Sequence, residues 1–316
     1  MRTIALALFF FLAAFTARAA QHGAWRLTER DGGRLQIELV SDHHQNSNSI
    51  DRTAFTGLTA AQLEATAETP VDFRLVRDAG TLHFTGTFLR GEGVGRFTFE
   101  PNAVYAGTLR GLGVAASDLN SDLNDERLFS LAMQDVSAAF IKEMQTLGYR
   151  EDLDRYVAFR IHGATPQFVR ELNALGYRPD AEQLVALRIH GVSPQFVRDI
   201  HALGYQPDAE ELVRFRIHGV SPEFVKGMKE LGVRELAADH LVALRIHGAS
   251  VDYVRDLRDL GYPNLSSDQL VSMRIHGVSP SYIRDLKSAG YANIPVEKLV
   301  DMRIHGIDAE FVKRTK

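Results

Sequence analysis

The chain has 316 residues and no cysteine. That absence excludes a disulfide framework, thiolate zinc sites and thiol catalysis. Basic excess is missing too: 36 Lys+Arg stand against 40 Asp+Glu, a formal charge of −4. A nucleic-acid binder carries the opposite balance. Beyond residue 19 no apolar run approaches the ~20 residues needed to span a bilayer. There is no His-Glu-x-x-His, no Gly-x-Ser-x-Gly and no Walker loop. No local catalytic constellation, resident metal site or cofactor is therefore indicated. What is present is 45% hydrophobic and 24% charged residues, the balance of a folded, soluble protein.

Residues 1–19 read as a secretory signal peptide. Met1-Arg2-Thr3 is a short basic start, Ile4 to Phe15 is almost continuously apolar, and Ala17-Arg18-Ala19 offers small residues at the −3 and −1 positions. Cleavage is expected before Ala20, leaving an exported protein, periplasmic or secreted, with no stable membrane insertion. Losing Arg2 and Arg18 takes the charge from −4 to −6.

Residues 20–113 have the texture of a small antiparallel β-domain. Ala24–Glu29 and Arg34–Val40 flank the turn sequence Arg30-Asp31-Gly32-Gly33, and Val71–Arg77 and Thr81–Phe88 flank Asp78-Ala79-Gly80. Arg96–Glu100 alternates polar and apolar residues, and Ser49–Thr53 is a further strand candidate. Thr59–Ala65 and Asn102–Leu112 read as short helices, the second stopped by Gly113. Five or six strands are expected. Gly91–Gly95 lies between two strands, so it reads as a turn or bulge rather than a phosphate loop. His43-His44 reads as part of a solvated loop rather than a metal site.

Residues 114–123 read as a linker. Asp118-Leu119-Asn120-Ser121-Asp122 starts like a calcium loop, but Leu123 replaces the glycine and Phe129 the final glutamate that such a loop requires.

From Asn124 to the end the chain repeats. Ile-His-Gly occurs six times, with His162, His190, His218, His247, His276 and His305 spaced by 28, 28, 29, 29 and 29 residues. An arginine precedes each copy: Arg160, Arg188, Arg216, Arg245, Arg274 and Arg303. Leu128–Asp135 aligns as a degenerate leading copy of Leu184–Gly191. Such self-similarity means stacked supersecondary units. Within one unit, Ser193-Pro194 starts a helix whose apolar face is Phe196, Val197, Ile200 and Leu203, and Gly204 ends it. Asp208 and Glu211 form a capping box for a second helix, in which Leu212, Val213, Phe215 and Ile217 are expected to continue the core before Gly219. The class is thus α+β, mainly α: an antiparallel β-domain followed by an α-solenoid of about seven two-helix repeats, the first degenerate and the last truncated.

The recurrent Arg falls inside the apolar arc of its helix and needs a partner. Glu143, Glu171, Asp199, Asp256 and Asp285 share one position on the first helices, a series broken by Gly227 and Arg314, which predicts an internal Arg–carboxylate ladder; the functional alternative is a ligand-facing Arg stripe. The recurrent His precedes the terminating Gly, where its ring is expected to meet orphan carbonyls at the negative end of the helix. Equivalent His residues in stacked helices stand ~8–10 Å apart. A zinc ion needs its nitrogens at ~2.0–2.1 Å, so neighbouring repeats cannot share one through these His alone. A pH-sensitive surface is the functional alternative.

Residues 128–316 carry 25 acidic and 24 basic side chains, whereas residues 20–127 carry 15 and 10. The array is nearly neutral, which again argues against nucleic acid. The Arg-Ile-His-Gly-Val-Ser-Pro and Leu-Gly-Tyr segments resemble helical repeats at the C-termini of bacterial envelope proteins, some of which carry a membrane zinc-metallopeptidase domain of the beta-lactam-sensor type. Phe73–Thr81 is similar to a β-module that accompanies such repeats. No zinc motif and no transmembrane segment of that domain occurs here, so its peptidase activity is not carried over. The resemblance implies an envelope-located sensory or interaction module. The leading expectation is a non-enzymatic binding or scaffold protein for a protein or peptide partner. The alternatives are a regulatory partner of a membrane metallopeptidase system, and a hydrolase with a site where the β-domain meets the first repeats.

Overall fold

A computed structural model of the chain describes residues 21–30, 33–41, 45–114 and 123–314. The signal-peptide segment, His43-His44 and Asp118–Asp122 lie outside them. The described residues fall into two compact units, one ending at Arg160 and one beginning at Ile161.

The first unit is built on seven strands: β1 (His22–Arg30), β2 (Arg34–Val40), β3 (Gln45–Asp51), β4 (Phe55–Thr56), β5 (Thr69–Arg77), β6 (Gly80–Leu89) and β7 (Glu92–Pro101). They form one antiparallel sheet in the order β3-β2-β1-β7-β6-β5-β4. That exceeds the expected five or six, because a two-residue strand at Phe55–Thr56 was too short to leave a pattern. The strand expected at Ser49–Thr53 runs earlier, from Gln45, through a polar stretch with no apolar alternation. Helix α1 (Ala60–Leu63) carries a capping box between Thr59 and Gln62.

Alternation decides which face is buried. On β5, Val71, Phe73 and Leu75 are buried while Asp72, Arg74 and Val76 are exposed. Trp25, Phe73, Phe84, Phe88, Phe97 and Phe99 are all almost fully buried. The Phe73 and Phe84 rings stack at 4.8 Å, and Trp25 meets Phe73 edge-on at 5.3 Å. Gly86 and Gly95 pair across β6 and β7 beneath Trp25, whose Nε1 donates to the Thr85 carbonyl at 3.1 Å. The loop at Arg90-Gly91 makes the turn, and Gly93 and Gly95 continue as strand.

Helix α2 (Tyr105–Gly111) ends with Val114 N–H bonded to the Leu109 carbonyl. The N–H groups of Tyr149, Tyr177, Tyr205, Val233, Tyr262 and Tyr291 close six first helices of the repeats in the same way. The Tyr105 hydroxyl donates to the Val136 carbonyl. Helix α3 (Asp125–Met133), N-capped by Asn124, drives Phe129 against Phe97 and Phe99, at 5.9 and 5.4 Å between rings. Asn48 Nδ2 donates to the Met133 carbonyl. Helices α4 (Ala138–Thr146) and α5 (Leu153–His162) follow.

The second unit holds α6 (Pro166–Ala174), α7 (Ala181–Ile189), α8 (Pro194–Ala202), α9 (Ala209–His218), α10 (Pro222–Glu230), α11 (Ala238–Ile246), α12 (Val251–Asp259), α13 (Ser267–Ile275), α14 (Pro280–Ser288), α15 (Val296–Ile304) and α16 (Ala309–Arg314). Second helices pack on second helices (α7, α9, α11, α13, α15 in succession) and first helices on first helices. That is the α-solenoid arrangement. Its punctuation matches the sequence. Ser193 accepts from the Phe196 N–H with Pro194 in the first turn, and Gly204 takes φ +85°. Asp208 and Glu211 form their reciprocal box, and the Val220 N–H closes on the Phe215 carbonyl at 2.8 Å.

The core differs in one respect. Leu212 and Phe215 are fully buried, but Ile217 is 53% exposed. Two residues advance a helix by about 200°, so Ile217 points away from the side that Phe215 buries.

Candidate functional site

The recurrent residues lie together at the C-terminal ends of the second helices, and they do different work from that expected. Each Arg reaches to the repeat before it. Arg160 Nε donates to the Gln134 carbonyl, and Arg188, Arg216, Arg245 and Arg274 donate to those of His162, His190, His218 and His247, at 2.9–3.4 Å. The same guanidinium lies over an aromatic ring of that repeat's first helix. Arg160, Arg188, Arg216, Arg245, Arg274 and Arg303 sit 4.9–5.1 Å from the centroids of Phe140, Phe168, Phe196, Phe224, Tyr253 and Tyr282.

This corrects the Arg–carboxylate ladder. Glu171 and Asp199 instead accept from Gln167 and Gln195 on their own helices, and Asp256 faces Arg284 of the next first helix at 3.9 Å. The Arg side chain is drawn to the partial negative charge of orphan carbonyls at a helix end, with a ring face beneath it. A repeated signal was present: one Phe or Tyr occupies the same first-helix position before every Arg.

The role expected for the His rings is corrected at four of the six. The carbonyls of His162, His190, His218 and His247 are taken by the next repeat's Arg, not by imidazole. His190, His247, His276 and His305 are C-cap residues, and His162 and His218 end their helices. At His305 the ring does meet a carbonyl of the last turn: Nδ1 lies 2.9 Å from the Asp301 carbonyl and 3.2 Å from its carboxylate, an ion pair when the ring is protonated.

The glycine after each His has two reasons to be glycine. Gly163, Gly191, Gly219, Gly248 and Gly277 take φ of +69° to +73°, and a Cβ there would stand 3.0–3.3 Å from the next Arg Nη2. In the leading repeat this position is Asp135, at φ +52°. Its carboxylate bridges two guanidinium groups, Arg160 Nη2 at 2.8 Å and Arg77 Nε of β5 at 3.2 Å.

One row stands outside all of this. Ile161, Ile189, Ile217, Ile246, Ile275 and Ile304 are 53–57% exposed. Each of these helix ends is closed without them, as by the Val220 N–H on the Phe215 carbonyl, with both residues buried. The isoleucines therefore contribute little to the fold, although an apolar side chain recurs there six times.

An open cleft of about 640 Å³ lies in the second unit between the Tyr177 loop and the Pro207 loop. Tyr177 Oη donates to the Pro207 carbonyl at 2.6 Å and lies 3.0 Å from His201 Nε2, with the two rings stacked. Burial, then the charges of Asp208 and Glu211, push the Tyr177 phenol up to about 12. Such a phenol holds its proton at neutral pH and supplies no base. Tyr205 and Tyr262 tether the following loops in the same way, through the Leu236 and Ile294 carbonyls, so Tyr177 is part of the stacking. Where the sheet meets the first repeat, the space is filled by Phe129, Met133 and the Arg77–Asp135–Arg160 triad. Among the described residues no group of three His, Asp or Glu is placed to hold a metal, and no helix is long and apolar enough to cross a membrane.

Two outcomes follow. Arg216→Lys keeps the charge but loses the planar fork over Phe196 and the Nε bond. It is expected to cost about 1–2 kcal/mol in urea unfolding, whereas a loss below about 0.5 kcal/mol would contradict the capping role. Burial also raises Tyr105, Tyr177, Tyr205, Tyr253, Tyr262 and Tyr282 above the ordinary phenol value. A raised pKa stabilises the fold fully below the unfolded value near 10, and that contribution is lost as pH climbs beyond it. Phenolate absorbance from these six tyrosines is therefore expected to appear together with loss of helical circular dichroism. Phenolates forming near pH 10 with the helices intact would contradict it.

No family model, no curated protein and no solved structure matches the chain.

Proposed function

We propose that the chain is a non-enzymatic binding or scaffold protein of the bacterial envelope, whose repeats offer a surface to a protein or peptide partner. The observation that carries this reading is the row of six half-exposed isoleucines on one repeat position. Exposed apolar residues scattered singly need no explanation, but an exposed isoleucine recurring at one position of six successive repeats supports an interaction surface. The envelope location rests on the N-terminal export pattern and on the resemblance of the repeats. The hydrolase alternative gains no support from the Tyr177 cleft, where the phenol is committed to a backbone carbonyl.

The test is affinity capture by the mature protein from envelope extract, with mass spectrometry, alongside hydrolase assays on the same preparation. Recovery of a specific partner without turnover is expected. Turnover without a partner would overturn the reading.

A further inference from the structure

Resting on that binding reading, we propose that the Arg–Ile edge of the second helices is a docking track for an extended acidic polypeptide. In this arrangement the partner places one aliphatic side chain on the Ile row and one carboxylate on an Arg Nη group per repeat.

The leading repeat shows the track already in use. Aligned by the repeat, Phe129 and Met133 of α3 occupy the positions of Val185 and Ile189. Here the isoleucine position is covered: Met133 is 5% exposed where Ile189 is 54% exposed, on a helix whose Phe129 packs on Phe97 and Phe99 of the sheet, while the counterpart of Phe129, Val185, is buried in its own repeat too. The Arg of the following repeat, Arg160, has its carboxylate, the Asp135 Oδ2 at 2.8 Å. The same helix face and the same Arg thus form an interface when an apolar cover and an acid are both supplied.

In the second unit neither is supplied. The isoleucines stand open, and glycine replaces Asp135. Among the described residues Arg188, Arg216, Arg245, Arg274 and Arg303 make no ion pair. Their Nε–H or ring contacts fix each guanidinium in place and leave Nη donors beside the glycine. A fixed, uncompensated fork is built for a carboxylate, because little side-chain freedom remains to be lost on binding.

Spacing sets the form of the occupant. Stacked helices stand ~8–10 Å apart. Three residues of extended polyproline II chain advance about 9 Å. A chain with an aliphatic and an acidic residue in every three therefore keeps register along the row. The acidic first-turn residues Glu182, Glu210 and Asp239 lie two turns away along the same helices, too far to oppose those carboxylates at contact distance.

The experiment titrates the full mature chain with labelled peptides of about fifteen residues, near five turns of that chain. One is built on Glu-Leu-Pro, one on Lys-Leu-Pro and one on Glu-Ser-Pro. The first is expected to bind at least about tenfold tighter than the other two. The combined variant Ile189→Ser, Ile217→Ser, Ile246→Ser is expected to lose at least about tenfold in that affinity while staying folded, with its helical circular dichroism unchanged. Equal binding of the Lys peptide, unchanged affinity in the variant, or binding of none of the three would overturn the proposal. So would self-association that the variant abolishes, since it assigns the row to a second copy. Capture from envelope extract separates the two readings. If wild type and variant retain one partner equally, the scaffold reading stands and this track is not its surface. If neither retains anything, the scaffold reading itself falls.

Discussion

Phe215→Ala is expected to lower the stability of the second unit by about 3–5 kcal/mol. Phe215 is fully buried on α9, between the neighbouring second helices α7 and α11. Removing the ring leaves a cavity that two rigid neighbours cannot close. The effect should exceed that of a similar change in a globular core in one respect. A repeat array is held by nearest-neighbour interfaces, so weakening one repeat in the middle uncouples those on either side. Urea unfolding followed by far-ultraviolet circular dichroism is expected to change from one transition to a broadened or split one. A single transition shifted by under about 1 kcal/mol would show that Phe215 does not carry the interface.

Gly95→Ala is the second large effect, and it acts on the sheet. A Cβ at Gly95 would lie 2.0 Å from the Thr85 carbonyl oxygen and 2.7 Å from Trp25 Nε1. Backbone and a buried indole cannot both give way, so β6 and β7 must separate locally. Overpacking of this kind costs about 1–3 kcal/mol, and here the upper end or more is expected because the obstacle is backbone. The chain has one tryptophan, at 2% exposure in this same cluster. Its fluorescence therefore reports the sheet alone, while circular dichroism reports mainly the helices. The variant is expected to shift the fluorescence transition well ahead of the helical one. Coincident, unshifted transitions would contradict the packing of Gly86, Gly95 and Trp25.

Much of the fold was legible because it is written in local chemistry. The Ser-Pro starts, the Asp208–Glu211 box and the glycines at helix ends act within a few residues, and each behaves as its pattern predicts. The β-strands were legible where alternation was clean, as in β5, and blurred where side chains were polar on both faces, as in β3. What the sequence hid was partnership across repeats. Arg216 was expected on a carboxylate because that is the commonest partner for a half-buried guanidinium. Its actual partners, the His190 carbonyl and the Phe196 ring, become visible only once Arg is matched to the aromatic of the preceding repeat. Ile217 was assigned to the core because it closes an apolar run, although its angular position opposes Phe215. The degenerate copy held the remaining clue. Phe129 meets the sheet, Met133 is buried where the other repeats expose isoleucine, and Asp135 pairs with Arg77 of β5, and that departure marks the face as one that can be covered.

The central claim is that the recurrent isoleucines belong to the surface and not to the fold. Its most direct test is the unfolding free energy of the combined Ile189→Ser, Ile217→Ser, Ile246→Ser variant. Three exposed substitutions are expected to change stability by no more than about 0.5 kcal/mol each. A loss of several kcal/mol per site, comparable to Phe215→Ala, would place the row in the core and contradict the account.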